Sequence, residues 1–148
     1  MTRNRWPLLA AVLLLALPLA ACGQDVVGAA PDPHVVVEEL PGSELSRITL
    51  SARAAERLGI ETAVVEELAT PDGVRLTVPF SAVLYDSNGK TWTYVSHEEL
   101  VFVRELVVID YVEDDVAVLT DAPAPGTTVV TIGAAELYGA ETGVGGGH

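Results

Sequence analysis

The stretch that decides the fold is VRLTVPFSAVLYDSNGKTWTYV, residues 74–95. It contains short runs rich in Val, Leu, Tyr and Thr, which are residue types favoured in strands. The dipeptide Asn88-Gly89 stands between two of these runs and is typical of a β-hairpin turn. The stretch therefore predicts three strands and a hairpin between the last two, with the strands at 74–78, 82–85 and 92–95.

The same pattern continues toward the C-terminus. Acidic and Pro- or Gly-containing segments, at 113–115 and 121–126, have the composition of turns. The apolar runs that they separate predict strands at 100–103, 106–111, 116–120 and 128–132. Short strands at this spacing favour a mainly β fold, a small β-barrel or sandwich.

Toward the N-terminus, residues 48–65 have the residue pattern of a β-α-β unit. Ser51 suits the N-cap of a helix over 52–58, and Gly59 suits its C-terminal cap. This is the one short helix that we predict, with a strand at 48–50 before it and another at 60–65 after it. The apolar residues expected to bury one side of the unit are Ala55, Leu58 and Ile60.

The first 21 residues have the pattern of a secretory leader. Two arginines, Arg3 and Arg5, precede an apolar run over 8–19, and Leu-Ala-Ala-Cys at 19–22 resembles a bacterial lipobox. That resemblance implies cleavage before Cys22, acylation at this residue, and extracytoplasmic anchoring to a bacterial membrane by lipid. An ordinary secretory signal with a chance cysteine, or a buried cysteine in an N-terminal helix, is the alternative.

Four segments follow from these patterns: a signal peptide at 1–21, a lipid-anchored flexible tether at 22–46, a β-rich domain at 47–142 and a flexible Gly-rich tail at 143–148. The tether is rich in Pro and Gly, and it has little periodic pattern beyond the run Val35-Val36-Val37. The remaining length suits a single domain.

The composition is strongly acidic, with 21 Asp and Glu against eight Lys and Arg and a net charge of −13. Loss of both leader arginines would lower the net charge by two, to −15. We expect no nucleic-acid partner, because phosphate binding depends on clustered basic residues. A single cysteine excludes an intramolecular disulfide and a Cys-based zinc site.

No catalytic or metal-binding motif stands out, so we expect a non-enzymatic protein with no cofactor and no metal site. The three histidines, His34, His97 and His148, lie outside any nucleophile–base pattern. The segment 86–90 superficially resembles a calcium loop, but the twelfth residue of such a loop would be His97 instead of Glu. A hairpin turn is the better interpretation there, and the acidic run 113–115 is expected to be solvated.

Three stretches, taken together, resemble the periplasmic adaptor subunits, or membrane fusion proteins, of resistance-nodulation-division efflux systems. They are 78–95 with its Val-Pro-x-x-Ala-Val pattern, 102–110, and 125–137. The unit 48–65 is similar to a further adaptor segment, so the resemblance covers roughly residues 47–142. It implies the barrel and membrane-proximal region of an adaptor. The long α-helical hairpin and lipoyl segments of a full adaptor have no counterpart in this sequence.

The function that this resemblance implies is a lipid-anchored adaptor-like protein that associates with an efflux or export transporter subunit. We expect Trp92, Tyr94 and Phe102 to contact that partner, with burial in the core as the alternative for these aromatic residues. Homo-oligomerisation is left open. The alternative function is a surface lipoprotein whose acidic charge captures a small cationic ligand or metal.

Overall fold

The computed structural model describes residues 34–143 as a mainly β fold with two short helices. The mainly β architecture predicted from the sequence is confirmed. The strands are β1 Val35–Glu39, β2 Ser46–Leu50, β3 Glu61–Val64, β4 Glu66–Thr70, β5 Gly73–Pro79, β6 Leu84–Tyr85, β7 Thr91–Glu98, β8 Val101–Glu113, β9 Val116–Asp121 and β10 Thr128–Ile132. The helices are α1 Ala52–Leu58 and α2 Ala134–Glu141, and a 3₁₀ turn spans Phe80–Ala82.

The strands form one curled sheet, and the strands at its two ends, β3 and β4, are adjacent in the chain. Its order is β3-β10-β7-β8-β9-β5-β4, and all of the pairings are antiparallel. Only Val65 separates β3 from β4 in the chain, and its N–H donates to the Thr127 carbonyl at 2.9 Å. The two ends of the ladder are therefore consecutive parts of one bent strand.

The long strand β8 connects the two halves of the sheet. Residues 101–107 pair with β7, and residues 108–113 pair with β9 through two register shifts. The sequence predicts two separate strands here, on either side of Arg104 and Glu105. The strand continues through them because both residues keep the antiparallel register with β7. Glu141 lies beside Arg104, and His97 lies beside Glu105.

Two hydrophobic cores lie on opposite faces of the strands β7 and β10. The helix-covered core consists of Ile48, Leu50, Ala54, Ala55, Tyr94, Phe102, Val130, Ala134 and Leu137. The sheet-lined core consists of Val65, Val78, Ala82, Val95, Val107, Ala117, Leu119 and Val129. Successive strand residues point to opposite faces, so the neighbours Tyr94 and Val95, like Val129 and Val130, enter different cores.

The unit around α1 has the predicted capping geometry. The Ser51 hydroxyl accepts from the Ala54 N–H at 3.2 Å, which satisfies a helix N-terminal donor. Gly59 adopts a left-handed conformation, with φ 62°, at the C-terminal end. The predicted apolar side also packs as expected, since Ala55 is in the helix-covered core and Leu58 and Ile60 contact it.

Besides β8, three elements differ from the sequence prediction: β1, β4, which no predicted strand covers, and α2. The strand β1 lies within the range 22–46 predicted as a tether, because Val35–Glu39 pairs antiparallel with β2. The ordered domain thus includes residues N-terminal to 47. The second helix, α2, follows the predicted strand 128–132 and was not expected, since the sequence predicts only one helix; Leu137 anchors it in the helix-covered core.

Candidate functional site

Glu141, in the last turn of α2, is the centre of a buried polar cluster. Its side chain is 3% exposed and accepts three hydrogen bonds. The donors are the Tyr94 hydroxyl at 2.5 Å, the Arg104 Nε–H at 2.9 Å and the Ser46 backbone N–H at 3.1 Å. One carboxylate therefore ties α2 to the strands β2, β7 and β8, and such charge-assisted bonds are the stronger class.

Arg104 holds its guanidinium against two aromatic rings. The Cζ atom lies 4.4 Å from the centroid of the Trp92 ring and 5.7 Å from that of Tyr138. Both distances fall within the range of a cation–π interaction. The side chain is only 11% exposed, and the ion pair with Glu141 compensates its charge.

Tyr94 is a neutral hydrogen-bond donor in this cluster. Burial raises the pKa of the phenol far above its usual value, and the hydrogen bond to the Glu141 carboxylate raises this pKa further. Ionisation would place a second negative charge beside that carboxylate. The hydroxyl therefore remains protonated at all physiological pH values.

A cavity of about 430 Å³ opens beside the ion pair. Arg104 and Glu141 line it together with Ser46 and Thr142, and the end of β1 with the loop between β1 and β2 supplies the remaining wall. Glu39 and Glu44 are the exposed acidic residues of that wall. The cavity thus combines one buried cation with several carboxylates, and its volume lies within the range of small-molecule sites.

The predicted partner-binding aromatics have different environments. Tyr94 is fully buried and Phe102 is 2% exposed, both in the helix-covered core. This is the core alternative given for them above, and in this conformation neither side chain is accessible to a partner. Trp92 is half-buried and remains partly accessible. The predicted lipidation residue, Cys22, lies outside the described residues.

Asp86 organises the β6–β7 hairpin and fixes the Trp92 ring. One carboxylate oxygen accepts from the Asn88 and Lys90 N–H groups at 2.8 and 2.9 Å, and the other accepts from the Trp92 indole N–H at 3.0 Å. The indole hydrogen bond is the main cause that lowers the pKa of Asp86. The segment is thus a hairpin turn, as predicted, and Gly89 has a positive φ of 78°.

The other polar candidates from the sequence do not join this cluster. His97 lies 3.2 Å from Glu105 on the surface, and His34 is exposed, while His148 lies outside the described residues. Asp114 and Asp115 form the exposed turn between β8 and β9. Within residues 34–143, no group of three or more metal-ligating side chains is placed to hold an ion.

Arg104 and Glu141 were not predicted as site residues from the sequence. One usable signal was Arg104 itself, the one basic residue between two apolar runs, which needs a partner if that segment is buried. Glu141 gave no signal in the sequence, because the helix that contains it was not predicted.

Comparison with known proteins gives no significant match to a family model, to a curated protein or to a solved structure.

Within residues 34–143, neither helix is long and apolar enough to cross a membrane.

Proposed function

We propose that the protein is a lipid-anchored, extracytoplasmic adaptor-like module that associates with an efflux or export transporter subunit. Anchoring would be through lipid on Cys22, and the role is binding rather than catalysis. The observation that carries the proposal is the curled sheet, whose end strands β3 and β4 are joined through Val65. A small curled β unit is what the adaptor resemblance implies for this part of the chain.

The stretches that resemble an adaptor lie together in this sheet. Residues 78–95 span the end of β5, the 3₁₀ turn, β6 and most of β7, while 102–110 lie in β8. The third stretch, 125–137, supplies β10 and the start of α2. Because β7 pairs with both β8 and β10, all three stretches are neighbours in one part of the fold.

An exposed apolar surface offers a place for the partner. Leu106 and Val108 of β8 are 44% and 43% exposed, and Leu106 is the cross-strand partner of the half-buried Trp92. We call Trp92, Leu106 and Val108 together the β8 apolar surface. Apolar and aromatic residues at accessible positions are typical of protein–protein contacts, and Trp is prominent among residues that dominate their energy. The partner contact is therefore proposed at Trp92 and extends to Leu106 and Val108.

Site-specific crosslinking in the native membrane tests this proposal. A photoreactive amino acid would replace Leu106 in one variant and Val64, which is 46% exposed on β3, in a matched control. A third variant, Cys22→Ser, removes the proposed anchor. We expect a transporter subunit to be crosslinked from position 106, not from position 64, and expect Cys22→Ser to be released from the membrane.

Two results would overturn the proposal. The first is efficient crosslinking of the anchored protein at position 106 without any transporter subunit among the products. The second is equal recovery of a transporter from positions 106 and 64, because this would indicate random encounter in the membrane. Continued membrane attachment of the Cys22→Ser variant would separately reject the anchor.

A further inference from the structure

The strand β1 forms an open edge of the sheet. It pairs with β2 on one side, and within residues 34–143 no strand pairs with its other side. The hydrogen bonds at its two ends show which residues face β2. The His34 carbonyl accepts from the Ser51 N–H at 3.1 Å, and the Leu40 N–H donates to the Leu45 carbonyl at 2.9 Å.

The backbone groups of the odd-numbered residues of β1 point to the open edge. Hydrogen-bonded pairs alternate along an antiparallel ladder, so the even-numbered residues between His34 and Leu40 bond to β2. The outward-pointing N–H and C=O groups are therefore those of Val35, Val37 and Glu39. Such a row of groups is a template for pairing with a further strand.

The exposed valines of β1 extend the helix-covered core to this edge. Val35 and Val37 are 37% and 40% exposed. Their cross-strand partners are Leu50 and Ile48, which belong to the helix-covered core. Because directly opposed residues lie on the same face of a sheet, the two valines continue this core outward. A strand added at the edge would therefore satisfy the backbone groups and also cover apolar side chains.

The sequence of β1, Val-Val-Val-Glu-Glu, fits a second copy of itself in one antiparallel register. With Val37 opposite the same residue of the second copy, Val35 lies opposite Glu39 and Val36 lies opposite Glu38. The residues with outward-pointing backbone groups then pair with one another, as the hydrogen-bonded pairs of an antiparallel ladder require. No glutamate lies directly opposite a glutamate in this register.

The neighbouring registers that also match outward-pointing groups fit less well. A register centred on Glu38 places two glutamates directly opposite each other, and like charges in this position are destabilising. A register centred on Val36 leaves Glu38 and Glu39 of each copy outside the paired strands. The register centred on Val37 is therefore the one that pairs the whole strand without charge repulsion between opposed residues.

We propose that the protein forms a dimer in which β1 pairs antiparallel with β1 of a second copy, centred on Val37. The contact is isologous, because each copy contributes the same strand. The sheet then continues from one molecule into the other. A contact of one short strand per copy is smaller than the standard interface of about 800 Å² per partner, so we expect a weak and reversible dimer. This contact is independent of the transporter contact proposed at the β8 apolar surface.

Disulfide trapping of the full chain tests the contact. Cys22→Ser removes the single native cysteine, and Val37→Cys in this background places one thiol at the centre of the proposed dimer. The Cα atoms of a hydrogen-bonded antiparallel pair lie about 5.5 Å apart, which a disulfide can span. Val112→Cys is the matched control, because Val112 is a 44% exposed valine at the end of β8 that pairs with β9. We expect dimers of Val37→Cys to form at least tenfold faster, since the contact raises the local thiol concentration.

A mixture of Val36→Cys and Glu38→Cys chains, both with Cys22→Ser, tests the register. These two positions are directly opposite across the proposed contact, whereas neither is opposite itself. We expect the mixed disulfide to form at least tenfold faster than the disulfide of either variant alone. Val37→Pro added to both chains removes an N–H that points to the open edge, so it should spare β1–β2 pairing and slow the mixed disulfide by at least tenfold.

Three results would overturn the proposal. The first is equal trapping rates for Val37→Cys and Val112→Cys, which would indicate random collision or an edge that is covered within one chain. The second is a mixed disulfide that forms no faster than the disulfide of Val36→Cys or Glu38→Cys alone. The third is unchanged trapping of the mixture in the presence of Val37→Pro.

Discussion

The two hydrophobic cores of this domain are filled by different types of residue. The helix-covered core contains two aromatic side chains, both helices contribute to it, and a buried ion pair borders it. The sheet-lined core is made only of Val, Leu and Ala, all from strands, the 3₁₀ turn or the bend at Val65. The buried ion pair thus lies on one face of β7 and β8, while the buried residues of the other face are aliphatic apart from Thr93, which is fully buried and whose hydroxyl has no hydrogen-bond partner among the described residues.

The sheet-lined core therefore only stabilises the fold, whereas the region of the ion pair can also bind a partner. An aliphatic core depends on volume alone, so its energy responds to each lost methyl group. The ion pair at the edge of the other core depends on matched partners, and removal of one partner leaves a buried charge. Substitutions in the two regions should therefore differ in both size and mechanism.

The largest effect is expected from Glu141→Ala. It leaves the Arg104 Nε–H and the Tyr94 hydroxyl without their acceptor, and loss of one partner of a buried pair costs about 3 to 5 kcal/mol. Urea unfolding measures the change in the free energy of unfolding. Glu136→Ala, an exposed change in the same helix, is the control and should stay within about 0.5 kcal/mol. Similar midpoints for the two variants would show that the cluster contributes nothing to stability.

A smaller effect is expected in the sheet-lined core from Val107→Ala. Val107 is 1% exposed, and removal of two buried methyl groups costs about 2 kcal/mol through lost burial and a residual cavity. The adjacent residue Val108 is 43% exposed on the other face, so Val108→Ala should change stability by less than about 0.5 kcal/mol. If both variants unfold at the same urea concentration, the assignment of faces along β8 is wrong.

Gly133, between β10 and α2, and Gly139, inside α2, should change the stability in opposite directions when each is replaced by alanine. Gly133 has a φ of 89° and its added Cβ would meet the Ile60 side chain, so Gly133→Ala should destabilise by about 1 to 2 kcal/mol. Gly139 lies inside α2 in open space, and Gly139→Ala should stabilise by about 0.5 to 1 kcal/mol. Thermal unfolding of both variants measures the pair. Destabilisation by both substitutions would contradict the helical assignment of residue 139.

The smallest effect concerns pH and the β6–β7 hairpin. The pKa of Asp86 is lower in the folded protein than its ordinary value of 3.8, so the carboxylate favours folding above that pH. This contribution is lost as the pH falls below 3.8 toward the folded pKa. The stability difference between the wild-type protein and Asp86→Asn should therefore shrink from pH 6 to pH 3. Asp72→Asn, in another exposed turn, serves as the control, and a difference independent of pH would reject the role of the Asp86 charge.

Local signals in the sequence were sufficient for much of the fold. The Ser51 cap and Gly59 bound α1 at the predicted residues, and β10 has the predicted limits because turn residues precede it and Gly133 follows it. These features depend on interactions within a few residues. The strand β1 was missed because Val35–Glu39 is a strand only through its pairing with β2, which no local signal reveals.

The candidate site was less predictable because its parts are distant in sequence. Arg104 and Glu141 are 37 residues apart, and Tyr94 and Glu141 are 47 apart. The aromatic residues Trp92 and Tyr94 were selected from the sequence, but not the charges that they contact. Their burial or exposure depends on where α2 packs, and the helix itself was not expected.

The pairing of β3 with β10 joins segments that are far apart in the chain. Glu61–Val64 must find Thr128–Ile132, so the sheet cannot return to its starting segment until nearly the whole domain has been synthesised. Hairpins such as β4–β5 and β7–β8 can form earlier from adjacent segments, whereas β3 is still unpaired. Pairings over such a sequence separation slow folding. Completion of the sheet by β10 should therefore limit the folding rate of this domain, and α2 with Glu141 follows β10 directly in the chain.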